Sequence, residues 1–116
     1  MSDCVTLPWP PQELSPNWRG HWRKKARAAR TYRHACGWAC KAAGLRVPAG
    51  ELIALHVEFV PPNRRHYDDD NLVGAFKVGR DGIADALGVD DTRFRLQTTV
   101  VSTELGGFVR VRLAGI

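Results

Sequence analysis

Glu51-Leu52-Ile53-Ala54-Leu55-His56-Val57-Glu58-Phe59-Val60 is the stretch on which the fold turns. Ile53, Leu55, Val57 and Phe59 alternate with Leu52, Ala54, His56 and Glu58, the two-residue period of a strand with one face on a core. Pro61-Pro62 ends it, because proline has no N–H to give to a ladder. Downstream, Asn63 to Tyr67 is a basic loop that delivers the chain to Asp68-Asp69-Asp70-Asn71. A helix is expected from about Asp69 to Leu87, with Leu72, Phe76, Ile83 and Leu87 as its buried stripe and Gly88 as its stop. Upstream, Arg23 to Ala43 has no proline and many Ala, Lys and Arg, which predicts another helix. Ala28, Ala29, Tyr32, Ala35, Cys36, Ala39 and Ala43 share one side of it, and Gly44 is its stop.

Further out, Val5 to Leu7 reads as an edge strand before a proline stop, and Pro8 to Asn17 as an ordered but irregular arm. Arg93 to Glu104 alternates in the strand manner. Leu105-Gly106-Gly107 is a turn, and Phe108 to Leu113 reads as the second strand of a hairpin. The order is strand, helix, strand, helix, hairpin. That predicts one α+β domain over residues 1–116, a mixed sheet with helices packed on it, with residues 1–22 forming a Pro- and Trp-rich arm around the first strand.

One domain fits 116 residues, which bury a modest core, so dimerisation would help. No run approaches the ~18 apolar residues of a membrane span. Pro8, Pro10 and Pro11 interrupt any apolar leader. Three cysteines argue against a secreted disulfide scaffold, so a cytoplasmic protein is expected. The net charge of +5 is unevenly placed. Through residue 46 there are nine Lys and Arg against two acids; the remainder has eight against ten. A basic half beside an acidic cluster points to a nucleic-acid surface next to a catalytic centre, against the plain alternative of a solvated helix face. Trp18, His21, Trp22 and Tyr32 lie among the basic residues, and aromatics can stack on bases or sugars.

Asp68-Asp69-Asp70-Asn71 is answered about twenty positions later by Asp90-Asp91. In an extended segment Asp68 and Asp70 point the same way, and Asp90 or Asp91 could close a cation site from another element. Asp69 points away, and one of Asp90 and Asp91 is spare. Oxygen donors alone favour Mg²⁺, with Mn²⁺ as a substitute, over zinc. On the second helix, Asp70, Gly74, Lys77 and Asp81 share a face, with Gly74 leaving open space. Lys77 lies roughly 10 Å past Asp70 along the axis, where it could meet a bound phosphate or simply pair with Asp81. Phosphodiester hydrolysis asks for such a set: carboxylates to hold a metal, and a cation to offset charge building in the transition state.

Other readings compete. An EF-hand loop fails at Leu72 and Val73. Helix capping explains one Asp well and three in succession poorly. His34, Cys36 and Cys40 lack zinc-knuckle spacing, and the two cysteines read as small core residues. His56 reads as structural; Glu58, on the same strand face, as a candidate outer group supporting the acidic run.

With these residues in hand, the chain resembles the RusA family of Holliday junction resolvases. The likeness runs through Leu7-Pro8-Trp9-Pro10-Pro11, Asn17-Trp18-Arg19, the basic segment Trp22 to Arg33, the loop Asn63 to Tyr67, Asp68-Asp69-Asp70-Asn71-Leu72, Gly88 and Asp90-Asp91. It implies a Mg²⁺-dependent endonuclease that cuts four-way DNA junctions as a homodimer, with paired symmetric nicks serving recombination and repair. The family's acidic residues fall on Asp68, Asp70 and Asp91. Its lysine lies one turn nearer the acidic run, where this chain has Gly74, and Lys77 is the nearest replacement. Arg19, Trp22, Arg23, Lys24, Arg27, Arg30, Arg64 and Arg65 are the candidate DNA contacts. A two-fold dimer matches a junction's two related strands. The alternatives are a branched-DNA-binding module without catalysis, and a nuclease for flaps or other branches.

Overall fold

A computed structural model gives the structure and describes residues 3–116. The elements are β1 (Cys4–Pro8), α1 (Trp22–Ala42), β2 (Ile53–Val60), α2 (Asp69–Leu87), β3 (Phe94–Val100) and β4 (Phe108–Gly115). Single 3-10 turns stand at Gln12–Leu14 and Asp91–Arg93. Both helices stop as the glycines predict: Gly44 and Gly88 take φ values of 68° and 67°, the left-handed region that a Cβ disfavours.

The four strands form one mixed sheet in the order β1-β4-β2-β3, so the α+β architecture expected from the pattern is present. One part of it differs. β3 and β4 follow each other in sequence but do not pair, so the expected hairpin is absent. β4 instead lies antiparallel between β1 and β2, with Val111 opposite both Val5 and Val57. β3 lies parallel to β2 on its other side, Leu55 beside Leu96. The reason is burial. Val109, Val111 and Leu113 are buried, and a strand contributing three core side chains is better placed inside the sheet than at its edge.

β1, β2 and β3 therefore all run the same way, and α1 and α2 are the crossovers that return the chain between them. Both helices start beyond the carboxyl ends of the strands and run back toward the amino ends. Ile53, Leu55, Val57 and Phe59, the apolar half of the alternation, are buried under the helices. Phe59 meets Phe76 of α2 edge to face, ring centres 5.7 Å apart. The opposite sheet face carries His56, Glu58, Arg110 and Arg112 and is not covered by a helix.

The helices touch most closely where Gly82 meets Arg33, Cys36 and Gly37. A Cβ on Gly82 would collide with the Arg33 carbonyl oxygen, whereas one on Gly37 would lie 3.2 Å from the Gly82 carbonyl. Gly82→Ala is thus expected to cost about 1–3 kcal/mol through overpacking, partly offset by alanine's better helix propensity. Gly37→Ala should cost less. Thermal melts of both variants check the order, and a Gly82→Ala protein that melts with the wild type would show that the helices have room to part. Arg33 also pairs with Asp85 across this seam, at 2.6 Å and 2.9 Å, and holds that carboxyl below its ordinary range.

Among the described residues no helix is long and apolar enough to cross a membrane.

Candidate functional site

The carboxyl end of β2 gathers most of the candidate residues. After Pro61-Pro62, Asn63 Oδ1 accepts hydrogen bonds from the Arg65 backbone N–H and the Tyr67 hydroxyl, both at 3.0 Å. Tyr67 packs against Trp9 with ring centres 5.4 Å apart, and Trp9 in turn meets Phe59. The loop is thereby fixed to the arm and the core, while Arg64, Arg65 and His66 stay exposed. A groove of about 570 Å³ runs between the arm (Trp9 to Gln12) and Asp68 and Asn71. A second, of about 490 Å³, lies on the other side of the loop.

Asp68 caps α2: its Oδ1 accepts the Asn71 N–H at 3.1 Å. Capping thus accounts for one oxygen of this residue and leaves the other available. Asp69 and Asp70 follow in the first turn, where the helix dipole favours negative charge. Both are exposed. Lys77 is exposed as well, and the alternative pairing with Asp81 is not among the ion pairs of the described residues. The expected open space at Gly74 is occupied: a Cβ there would stand 2.7 Å from Pro16 of the arm. A side chain at this position would require the arm to shift.

Asp91 is elsewhere. α2 is 19 residues long, about 27 Å at 1.5 Å per residue, and Asp68 and Asp91 lie beyond its opposite ends. The 3-10 turn of Asp91 precedes β3 at the amino end of the sheet, where Arg93 donates to the Glu51 and Gly50 carbonyls. Within the chain the three aspartates do not converge, and no group of three metal-ligating side chains forms among the described residues. Of the two neighbours, Asp90 is the one used as a cap. Its carboxylate accepts the Thr92 N–H at 2.9 Å, which holds it below its ordinary range. Asp91 is left half-buried with its side chain not used as a cap.

α1 carries the basic surface. Its 21 residues include seven Lys and Arg and no acid. Only Arg33 among them has a carboxylate partner within the described residues. Arg23, Lys24 and Lys25 stand in the first turn, where the helix dipole is already positive. The fold alone gains nothing from that placement; a bound anion would reverse the sign. His21 caps the helix through Nδ1, Trp22 is 68% exposed, and Arg23 lies 5.5 Å over the Trp22 ring. Arg19, Lys24, Arg27 and Arg30 are exposed too.

Two candidates change role. Tyr32 cannot stack on a nucleic acid: it is buried and its hydroxyl donates to the Pro8 carbonyl at 2.7 Å. Burial also pushes the Cys36 and Cys40 thiols up to about 12 and about 11, which keeps them as neutral core residues. Glu58 points to the uncovered sheet face, where it pairs with Arg110 at 3.2 Å, away from the acidic run. Two exposed apolar residues carry no signal in the sequence pattern. Trp38, 67% exposed, falls two residues past Cys36 and so on the outer side of α1. Leu105, 47% exposed, reads from the sequence only as part of a turn.

No family model matches the chain. A protein of Xylella fastidiosa (strain Temecula1 / ATCC 700964), itself described as uncharacterized, is 46% identical to it over 97 residues. The match covers 78% of this chain and 61% of that relative, so the chain spans about three fifths of the relative's length.

Proposed function

We propose that the protein is a Mg²⁺-dependent endonuclease of the RusA kind that resolves four-way DNA junctions as a homodimer, in the cytoplasm. One observation carries the reading. Exposed carboxylates, Asp68 and Asp70, share one end of the molecule with a basic surface of α1, Arg64 and Arg65 that has almost no acidic partners of its own.

The aspartates offer carboxylate oxygens, the donors a hard cation takes, and His66 lines the same groove as Asp68. One protomer contributes Asp68 and Asp70 at one end of α2 and Asp91 at the other. A two-fold axis near the middle of α2 would lay two copies of the helix antiparallel. Each site would then hold Asp68 and Asp70 of one protomer and the partner's Asp91. A divalent ion so held supplies an activated water and charge neutralisation for phosphate hydrolysis. Lys77 stands on the same exposed side of α2 and would offset charge on the phosphate. Arg19, Arg23, Lys24, Arg27, Arg30, Arg64 and Arg65 would hold the backbone, with Trp22 stacking on a base or sugar. Two copies of the site, related by the two-fold axis, match the two strands that must be nicked.

The test is cleavage of a labelled synthetic four-way junction beside a linear duplex of the same sequence, with Mg²⁺ and with EDTA. Symmetric paired nicks in the junction alone, and only with Mg²⁺, are expected. A second reading, a branched-DNA-binding module without catalysis, is favoured by the capping bond of Asp68 and by the separation of Asp91. It requires tight junction binding, unchanged by Mg²⁺, and no nick. Equal cutting of flaps and junctions would instead mark a less selective branch nuclease.

A further inference from the structure

We infer that the groove between the Asn63–Tyr67 loop and the 101–107 loop holds one unstacked nucleotide of the DNA strand at the branch point, with Leu105 as the wedge that keeps it out of the stack. This rests on the nucleic-acid reading above and adds a subsite to it.

The groove is lined by unlike segments. Pro61, Val100, Val101 and Leu105 contribute apolar surface, with Ser102 among them; the 63–67 loop contributes Arg64, Arg65, His66 and Tyr67. That division suits a nucleotide, whose base is flat and largely apolar on its faces and whose phosphate is anionic. Its volume of about 490 Å³ belongs to an open groove rather than an enclosed cavity, so a strand can enter and leave at its ends. Asp69, the neighbour of Asp68 and Asp70, also lines it, which sets the subsite beside the carboxylates.

The wedge is held rigidly. Val101 donates to the Phe59 carbonyl at 2.9 Å, Gly106 to Pro61 at 2.9 Å and Gly107 to Val60 at 3.0 Å. Glu104 pairs with Arg110 at 2.8 Å. Gly106 and Gly107 close the turn: a Cβ on Gly106 would strike the Phe108 ring, and Gly107 sits at φ 76° with Pro62 close against it. A loop tied at four points nevertheless leaves its one large apolar side chain 47% exposed. A single exposed leucine is ordinary on a protein surface. Here it lines one groove with Arg64 and Arg65 on a hydrogen-bonded loop, a combination of apolar side chain and cations like that by which wedges separate base steps while cations hold the phosphates.

The experiment places 2-aminopurine, which brightens when unstacked, next to the branch point of a four-way junction, and in a matching linear duplex. EDTA prevents cutting. Wild-type protein is expected to brighten the junction probe several-fold and leave the duplex probe unchanged. Leu105→Ala should abolish most of that rise and weaken junction binding on the order of tenfold, with duplex binding unaffected. Because Leu105 is half-exposed, this variant keeps the fold, which circular dichroism verifies. Arg64→Ala should weaken binding to both DNAs. If Leu105→Ala brightens the junction probe as fully as wild type, the wedge is overturned while the endonuclease reading stands. If wild-type protein does not distinguish junction from duplex, both fall together.

Discussion

Mixed in equal amounts, an Asp70→Asn protein and an Asp91→Asn protein are expected to regain junction cleavage that neither shows alone. Each homodimer lacks a carboxylate at both sites, and loss of one ligand should lower the cleavage rate on the order of 10³-fold. In a mixed dimer with shared sites, one site collects both substitutions. The other collects intact Asp68 and Asp70 from one protomer and an intact Asp91 from its partner. After refolding together about half of the dimers are mixed, each with one working site of two, so about a quarter of wild-type activity should return. The restored product should be singly nicked junction rather than resolved duplexes. If the mixture stays as inactive as its components, the aspartates do not act across a dimer. The expectation rests on the proposed dimer and on the length of α2, which separates Asp68 and Asp70 from Asp91.

The second large effect is on binding. Replacing Arg23, Lys24, Arg27 and Arg30 together with alanine should flatten the salt dependence of junction affinity by about three to four in the slope of log K against log salt, close to one for each phosphate that is no longer neutralised. At low salt the affinity should fall by several decades; at high salt the difference should shrink. Arg33→Ala is the control, because Arg33 is already bound to Asp85 and should leave the slope alone. Unchanged slope in the fourfold variant would assign the DNA to another face. None of the four has a carboxylate partner among the described residues, so no ion pair of the fold is broken in the test.

Much of this is legible in the sequence. β2 shows in its strict alternation, α1 and α2 in their apolar stripes, and Gly44 and Gly88 end the helices where glycine is needed. Strand pairing is not legible. Gly106-Gly107 is a local turn signal and suggests a hairpin, but pairing is decided by which strand has more to bury, and Val109, Val111 and Leu113 settle it in favour of the centre. The separation of the aspartates is present in the sequence as simple arithmetic: a helix bounded by Asp68 and Gly88 cannot bring its two ends together. Grouping the acids by type conceals it. Gly74 reads as space because the arm has no periodicity to place Pro16, and Tyr32 reads as a stacking residue because a buried tyrosine and an exposed one look alike in a basic run.

The position of β4 has a consequence for how the chain comes to be folded. Val5 finds its ladder partner only at Val111, and Val57 finds the same residue on the other side. As the polypeptide leaves the ribosome, β1 and β2 emerge early but have nothing to join them. The βαβ unit of β2, α2 and β3 can form first, because its pairings are closer in sequence. β1 must remain an unpaired edge until the final strand slides between it and β2. Removing that strand would split the sheet through its centre, leaving β1 without a ladder and its arm held by the Trp9 ring contacts and the Tyr32–Pro8 hydrogen bond.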